Sequence, residues 1–178
     1  MGIAGTVFVG VCVTGCHGQS GNPSANTPTS AAASSFTTTD RAWIEINIAM
    51  DEQLVPMLDL VDSRTGTAAV RDLGRKAAAS TKSELLDLRR LHDEAGLPAE
   101  NPHRGMEMPG MVSSNQLAQA GALREADFDN HFKKCLRDHL DQKERLALGE
   151  KSSGTEPQTV SLASRVLREQ DQLSALVE

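Results

Sequence analysis

The chain has 178 residues and a formal net charge of -6, which bounds it to one domain or one domain with a tail. No Asp, Glu, Lys or Arg precedes Asp40, so all the charge lies on residues 40–178, where acidic and basic residues interleave. Interleaved charge describes solvated helix faces and excludes a basic patch, so no nucleic-acid partner is expected. Aromatics make up 3%, Tyr is absent and β-branched runs are scarce after residue 70, all of which favour helix over sheet.

Residues 1–16 are apolar and uncharged, shorter than the roughly 20 residues a membrane-spanning helix needs, and suit the hydrophobic region of a signal peptide. Val13-Thr14-Gly15-Cys16 resembles a bacterial lipobox, in which Cys16 becomes the lipidated N-terminus, although no Lys or Arg opens the segment. The alternative is an ordinary apolar N-terminus with a buried Cys. Residues 17–39 are rich in Gly, Ser, Thr, Asn, Pro and Ala, cannot bury a core and read as a disordered tether. A lipidated Cys16 on such a tether would anchor the folded part to the membrane at the cell envelope, outside the cytoplasm; without the anchor the protein is secreted. Of the three cysteines, Cys12 and Cys16 lie in this N-terminal segment and only Cys135 lies beyond it, so a disulfide framework is not expected.

The folded part, 40–178, is predicted to start at Thr39-Asp40, a plausible N-cap. A first helix runs to about Val61 with Trp43, Ile44, Ile46, Leu54, Val55, Met57, Leu58 and Val61 as apolar residues; Pro56 should kink or break it. A second runs from about Thr67 to Ala95 on a stripe of Val70, Leu73, Ala77, Leu85, Leu88 and Leu91, with Gly96 and Pro98 as stop signals. A loop follows, then a short helix opened by the capping box Ser113-Ser114-Asn115-Gln116. A third main helix runs from about Glu125 to Leu148 and a polar turn covers 150–156. Pro157 suits the first turn of a fourth, carrying Val160, Ala163, Val166, Leu167, Leu173 and Leu176. Four main helices with mostly short connections describe an all-α four-helix bundle.

Within the third helix, Phe128, Phe132, Cys135 and His139 recur at steps of four, three and four and share one face. The two halves of the bundle also align without a gap at one offset, 132 − 43 = 89. Asp40 then meets Asp129, Trp43 meets Phe132, Ile46 meets Cys135, Met50 meets His139, Met57 meets Leu146 and Leu73 meets Leu162. A repeat of this length suits a duplicated helical hairpin, with Met50 and His139 at equivalent inward positions.

Three stretches resemble the DUF305 family, a domain of unknown function. The first, Asp40-Arg41-Ala42-Trp43-Ile44 and then Ile46 to Glu52, is similar to the family's Asp-Arg-Ala-Phe-Ile followed by Met-Met-Ile-Pro-His-His-Gln. The second, Gly105-Met106-Glu107-Met108-Pro109-Gly110-Met111 with Ser113 soon after, resembles its Met-rich middle loop. The third, Phe128-Asp129-Asn130-His131-Phe132 and then Asp138-His139-Leu140, resembles its Phe-Asp-x-x-Phe and Pro-His-His. The resemblance covers roughly 38–178. It implies a ferritin-like four-helix bundle made of two similar hairpins, in secreted or envelope proteins some of which are linked to copper. Both His-His pairs depart here, as Met50-Asp51 and His139-Leu140, so one of the four family histidines remains.

Met106, Met108 and Met111 are three of the chain's six methionines and sit in a loop away from any helical stripe. Thioethers are soft ligands that suit Cu(I), and His103 is near enough in sequence to join them. The plainer reading is that they plug the end of the bundle, since Met fills irregular gaps. Cys135 and His139, one turn apart, with Met50 facing them through the repeat, form a second candidate soft-metal set. The plainer reading there is a buried thiol and a core histidine. Asp51 reads as a solvated charge. No nucleophile arrangement or phosphate-binding glycine loop is present, and the predicted helices lack the Glu-x-x-His pairs of di-iron carboxylate bundles, so no enzymatic activity is assigned. The function expected is a lipid-anchored bundle that binds copper, as Cu(I), or another soft metal for buffering or tolerance in the envelope. The alternative is a metal-free structural or partner-binding bundle. A homo-oligomer stays open.

Overall fold

The structure is a computed structural model that describes residues 35–177. The lipobox, Cys16 and most of the expected tether lie outside the described residues. Five helices are formed: α1 (Thr38–Arg64), α2 (Ala68–Glu94), α3 (Ser114–Ala122), α4 (Glu125–Ser153) and α5 (Pro157–Val177). Their ends follow local chemistry. The Thr37 hydroxyl accepts from the Asp40 N–H while the Thr37 N–H donates to Asp40 Oδ2 at 2.6 Å. The helix therefore starts two residues earlier than expected, with Asp40 as the far partner of a capping box. α1 runs unbroken through Pro56, which lies on the exposed side of the helix. Gly96, at φ +62, turns the chain out of α2. α3 opens on the predicted capping box, Ser113 with Gln116. α4 continues through Gly149 into the stretch expected to be a turn and stops at Gly154.

Bonds between elements set the topology. Near the start of α1, Asp40 Oδ1 accepts from the N–H groups of Thr155 and Glu156, which precede α5, at 2.9 and 3.1 Å. Near the start of α4, Asp129 Oδ2 accepts from the hydroxyl of Thr67, the residue before α2, at 2.5 Å. α1 and α4 are thus antiparallel, and α2 and α5 are too, through Ser80–Glu169 and Asp87–Arg165. The two hairpins are joined by the long connection 95–124, which carries α3 back along the bundle, the single-crossover arrangement of ferritin-like folds. The 89-residue repeat is physical: 40 + 89 = 129 and 67 + 89 = 156, so the Asp40–Glu156 and Asp129–Thr67 contacts are equivalents exchanged between hairpins. Ser80 and Glu169, also 89 apart, bond each other, which puts the pseudo-two-fold axis between α2 and α5.

Two apolar clusters fill the interior. One is built on Leu54, Met57, Leu73, Leu136, Leu140 and the stacked rings of Phe128 and Phe132, whose centroids are 5.9 Å apart. The other is built on Trp43, Ile44, Leu88, Leu91, Leu162 and Val166. Between these clusters α1, α2 and α4 each place one buried charged residue: Asp51, Glu84 and Lys143. Where α1 and α2 approach most closely, Gly74 leaves room for Val61; a Cβ there would lie 2.7 Å from Val61 Cγ1. Leu176, expected in the apolar stripe of the last helix, is 46% exposed, and Val177 takes the inner position.

One end of the bundle is closed by two carboxyl groups. Burial works against the charge of Asp40, but its bonds from Thr37 and the Glu156 N–H hold it well below the usual carboxylate range. Burial, then the charges of Asp40 and Glu156, push Glu150 up to about 8. A carboxyl raised in the fold from its ordinary value near 4.5 to about 8 binds more protons folded than unfolded, so its contribution falls as pH rises between those values. Glu150→Gln keeps the shape of the side chain and removes the titration. In urea unfolding the variant should gain on the wild type by about 1–2 kcal/mol between pH 5 and pH 9, allowing for screening. A constant difference across that range would show that Glu150 is ionised throughout.

Candidate functional site

Three helices bring ionisable side chains to one buried point. Lys143 of α4 donates to Asp51 Oδ1 of α1 at 2.7 Å and to Glu84 Oε1 of α2 at 2.5 Å. All three are at most 4% exposed. His139, one turn before Lys143 on the same face of α4, has its Nε2 3.6 Å from Asp51 Oδ1 and its Nδ1 3.2 Å from the Gly110 carbonyl. A carbonyl can only accept, so Nδ1 carries a proton toward Gly110. Burial lowers the pKa of His139 and the Lys143 charge adds to this, against the hydrogen bond and the charge of Asp51. Burial also opposes the Lys143 charge, but the Asp51 and Glu84 carboxylates outweigh it and raise the ammonium above its usual value. Burial and the Asp51 charge push Glu84 up to about 7 against the opposing effect of Lys143.

The candidate helical metal set divides. Met50 and His139 are both buried, but Met50 packs with Met111 of the loop, and Asp51 beside it is 1% exposed and bound to Lys143, not solvated. Cys135 faces the Phe128–Phe132 cluster, with its thiol 3.7 Å from His131 Nε2, and burial raises its pKa. His131 Nε2 donates to the Gln116 carbonyl at 2.9 Å. Cys135 and His139 therefore have separate partners. Among the described residues no group of three or more His, Cys, Asp or Glu side chains is arranged to hold a metal. At the centre Lys143 is the reason: a divalent ion roughly 4 Å from a fixed ammonium is repelled by about 8 kcal/mol at an effective dielectric constant near 20. The bundle centre does not fit a metal.

The Met loop reaches the same level from outside. The connection 95–124 runs along α1: Asn101 Nδ2 donates to the Glu45 carbonyl at 2.7 Å. Farther along, the Gln53 amide, in the orientation that satisfies both its ends, spans the Val112 carbonyl and the Gly105 N–H at 3.1 Å each. Between these anchors Met111 packs with Met50 and Ala49 in a small buried cluster, and Met108, Ile46 and Leu146 close over it. Met50, Met108 and Met111 thus come together, drawn from a helix and a loop. Met106 does not join them. It is 46% exposed and lines a cleft of about 280 Å³ with Glu52, Gln53, Pro56, Val112 and Leu117. His103 is half-buried, and its Nδ1 is buried with no hydrogen-bond partner.

Lys143 and Glu84 escaped the sequence reading, although a signal existed. Leu136, Leu140, Lys143 and Ala147 step by four, three and four, as do Ala77, Thr81, Glu84, Leu88 and Leu91, so each charge sits on an inward stripe. Charged residues are almost never fully buried unless paired, and the partners lie on other helices.

Gly110 lets the loop meet α4. It has φ +80, and a Cβ there would lie 2.4 Å from Gln142 Cβ and 2.9 Å from the Asp138 carbonyl oxygen. Gly110→Ala should destabilise the protein by about 2 kcal/mol or more, combining left-handed strain with the clash. Denaturant unfolding measures this; a variant as stable as the wild type would show that the loop lifts freely off α4.

Comparison with solved structures finds the same architecture. A DUF305 protein of Streptomyces coelicolor, described as a candidate secreted protein, superposes with a TM-score of 0.69 at 21% identity, covering 81% of this chain and 91% of that one. A DUF305 fragment from Deinococcus radiodurans gives a TM-score of 0.69 at 15% identity, covering 80% and 97%. No curated protein matches the chain. The family model "Domain of unknown function (DUF305)" matches residues 30–176, almost the whole helical bundle and its Met loop, and the chain belongs to that family.

Proposed function

We propose that this chain is an exported, non-catalytic helical bundle that binds copper as Cu(I), or another soft metal, for buffering or tolerance in the cell envelope, with Cys16 as its point of lipid attachment. The observation that carries the reading is the convergence of Met50, Met108 and Met111 in one cluster at the α1–loop seam. Thioethers are soft, neutral donors and need no deprotonation, so Cu(I) suits an apolar cluster that hard cations would avoid. Met108 is partly exposed and gives the cluster a side open to solvent. The unpartnered His103 Nδ1 on the same loop supplies a further donor. The candidate ligands are accordingly Met50, Met108 and Met111 with His103; Met106, toward solvent, would serve capture. Cys135 and His139, engaged elsewhere, are not needed.

One observation favours a second reading, a metal-free structural or partner-binding bundle: the bundle centre is neutralised internally by Lys143. Cu(I) titration against a competing chelator separates the two. The protein should hold Cu(I) and melt at higher temperature with it, because a ligand bound only by the folded state stabilises that state. Met50→Leu/Met108→Leu/Met111→Leu keeps apolar bulk and should fold but lose Cu(I) competition by ~100-fold or more, about 3 kcal/mol. Equal competition by wild type and variant would leave the second reading.

A further inference from the structure

We infer that the cleft between α2 and α5 is a binding site for a phosphate monoester, whose phosphoryl oxygens are held by the guanidinium groups of Arg90, Arg165 and Arg168. The inference does not rest on the Met cluster. Charges that interleave along the chain converge here in space. Arg165 and Arg168 stand one turn apart on α5 and Arg90 meets them from α2. With Gln158, Ser161 and one carboxylate, Asp87, they line a cleft of about 480 Å³. That volume lies within the range of small-molecule sites, roughly 300–1,000 Å³.

The guanidinium groups are oriented but keep donors to spare. Arg90 Nη1 donates to Glu94 Oε1 at 2.7 Å and to Gln158 Oε1 at 2.9 Å. Arg165 bonds Asp87 through Nη2, and its Nε lies 3.6 Å from Glu169 Oε1. Arg168 donates through Nη1 to the Ser164 carbonyl at 2.9 Å, and among the described residues no carboxylate pairs with it. Each guanidinium has five N–H donors in a rigid fork, so donors remain on all three. The carboxylate pairs of Arg90 and Arg165 are about a third to a half exposed, where an ion pair is worth little and yields to a better anion. The N–H groups of Gln158 and Thr159 at the start of α5 are already taken by Glu156, so the side chains do the binding.

Three forks call for three oxygens. A phosphate monoester presents three terminal oxygens and about −1.5 to −2 charges at neutral pH. A carboxylate presents two oxygens and one charge, which a single fork satisfies. The internal repeat supplies a contrast. At the 89-residue offset Arg165 corresponds to Lys76 and Arg168 to Ala79. The cleft that contains Lys76 pairs this one cation with Glu169 and ends in Leu173 and Leu176. The duplicated fold therefore does not impose the arginine set; it belongs to one end of the α2–α5 face.

The experiment titrates glycerol 3-phosphate into the full chain at neutral pH and low salt, where exposed charges are least screened, with acetate as the control anion. Arg90→Gln/Arg168→Gln leaves Arg165 in place to tie α2 to α5, and Arg168→Gln alone breaks no ion pair; thermal melts check that both fold. The wild type should bind the ester saturably and acetate at least ~10-fold more weakly. The double variant should lose ~10-fold or more, the single variant should weaken in the same direction, and Lys76→Gln should bind as the wild type does. Co-sedimentation with phosphatidylcholine vesicles, with and without phosphatidic acid, distinguishes the source of the phosphate. Binding in excess with phosphatidic acid assigns a lipid headgroup, and binding of glycerol 3-phosphate without that excess assigns a soluble ester; the inference stands in both cases. It is overturned if the wild type binds neither form of the ester, if acetate competes equally, or if Lys76→Gln loses as much as the arginine variants.

Discussion

A lysine ammonium withdrawn from water must meet matching charge where it sits, and Lys143 meets it in two places at once. Asp51 and Glu84 reach it from α1 and α2, which fixes the rotation of both helices relative to α4. Hydrophobic packing alone tolerates small rotations and slides, because apolar contacts are non-directional. Hydrogen bonds of 2.5 to 2.7 Å to a buried charge do not, since loss of either partner leaves an uncompensated ion. The two apolar clusters on either side of this layer are therefore held in one register.

The polar layer also governs the long connection. His139 gives its Nδ1–H to the Gly110 carbonyl, and this bond, with the close approach of Gly110 to Asp138 and Gln142, holds the Met loop on α4. Asn101 and Gln53 hold the same loop to α1. The loop thus spans the α1–α4 seam and lays Met108 and Met111 over Met50, one residue from Asp51. A soft, apolar cluster and a hard, ionic one lie side by side.

Duplication explains much of this arrangement. Equivalent residues of the two hairpins exchange equivalent contacts, Asp40 with Glu156 and Asp129 with Thr67, and Ser80 meets its own counterpart Glu169. Symmetry ends in the ionic layer. The counterpart of Lys143 is Leu54, since 143 − 89 = 54, and that of Asp51 is Leu140, since 51 + 89 = 140. Both leucines belong to the apolar core. One hairpin supplies the ammonium and imidazole and the other the two carboxylates, so the centre is complete only when both are packed together.

By itself the sequence determined the helices, the two stacked hairpins, the buried aromatic face of α4 and the family. These follow from local periodicity, capping residues and motifs, which act over a few residues and can be read within one segment. Its errors at helix ends were of the same local kind, such as Asp40 as the far partner of a capping box rather than its start. The periodicity also marked which faces turn inward, even for Glu84 and Lys143, but not what they face. Only the tertiary structure decided that Asp51 is buried rather than solvated, that Cys135 pairs with His131 and His139 with Asp51 and Gly110, and that Met106 stays outside the cluster of Met50, Met108 and Met111. The physical reason is that a buried charge is stable only with its partner in place, and these partners lie 59 and 92 residues away from Lys143 in the chain.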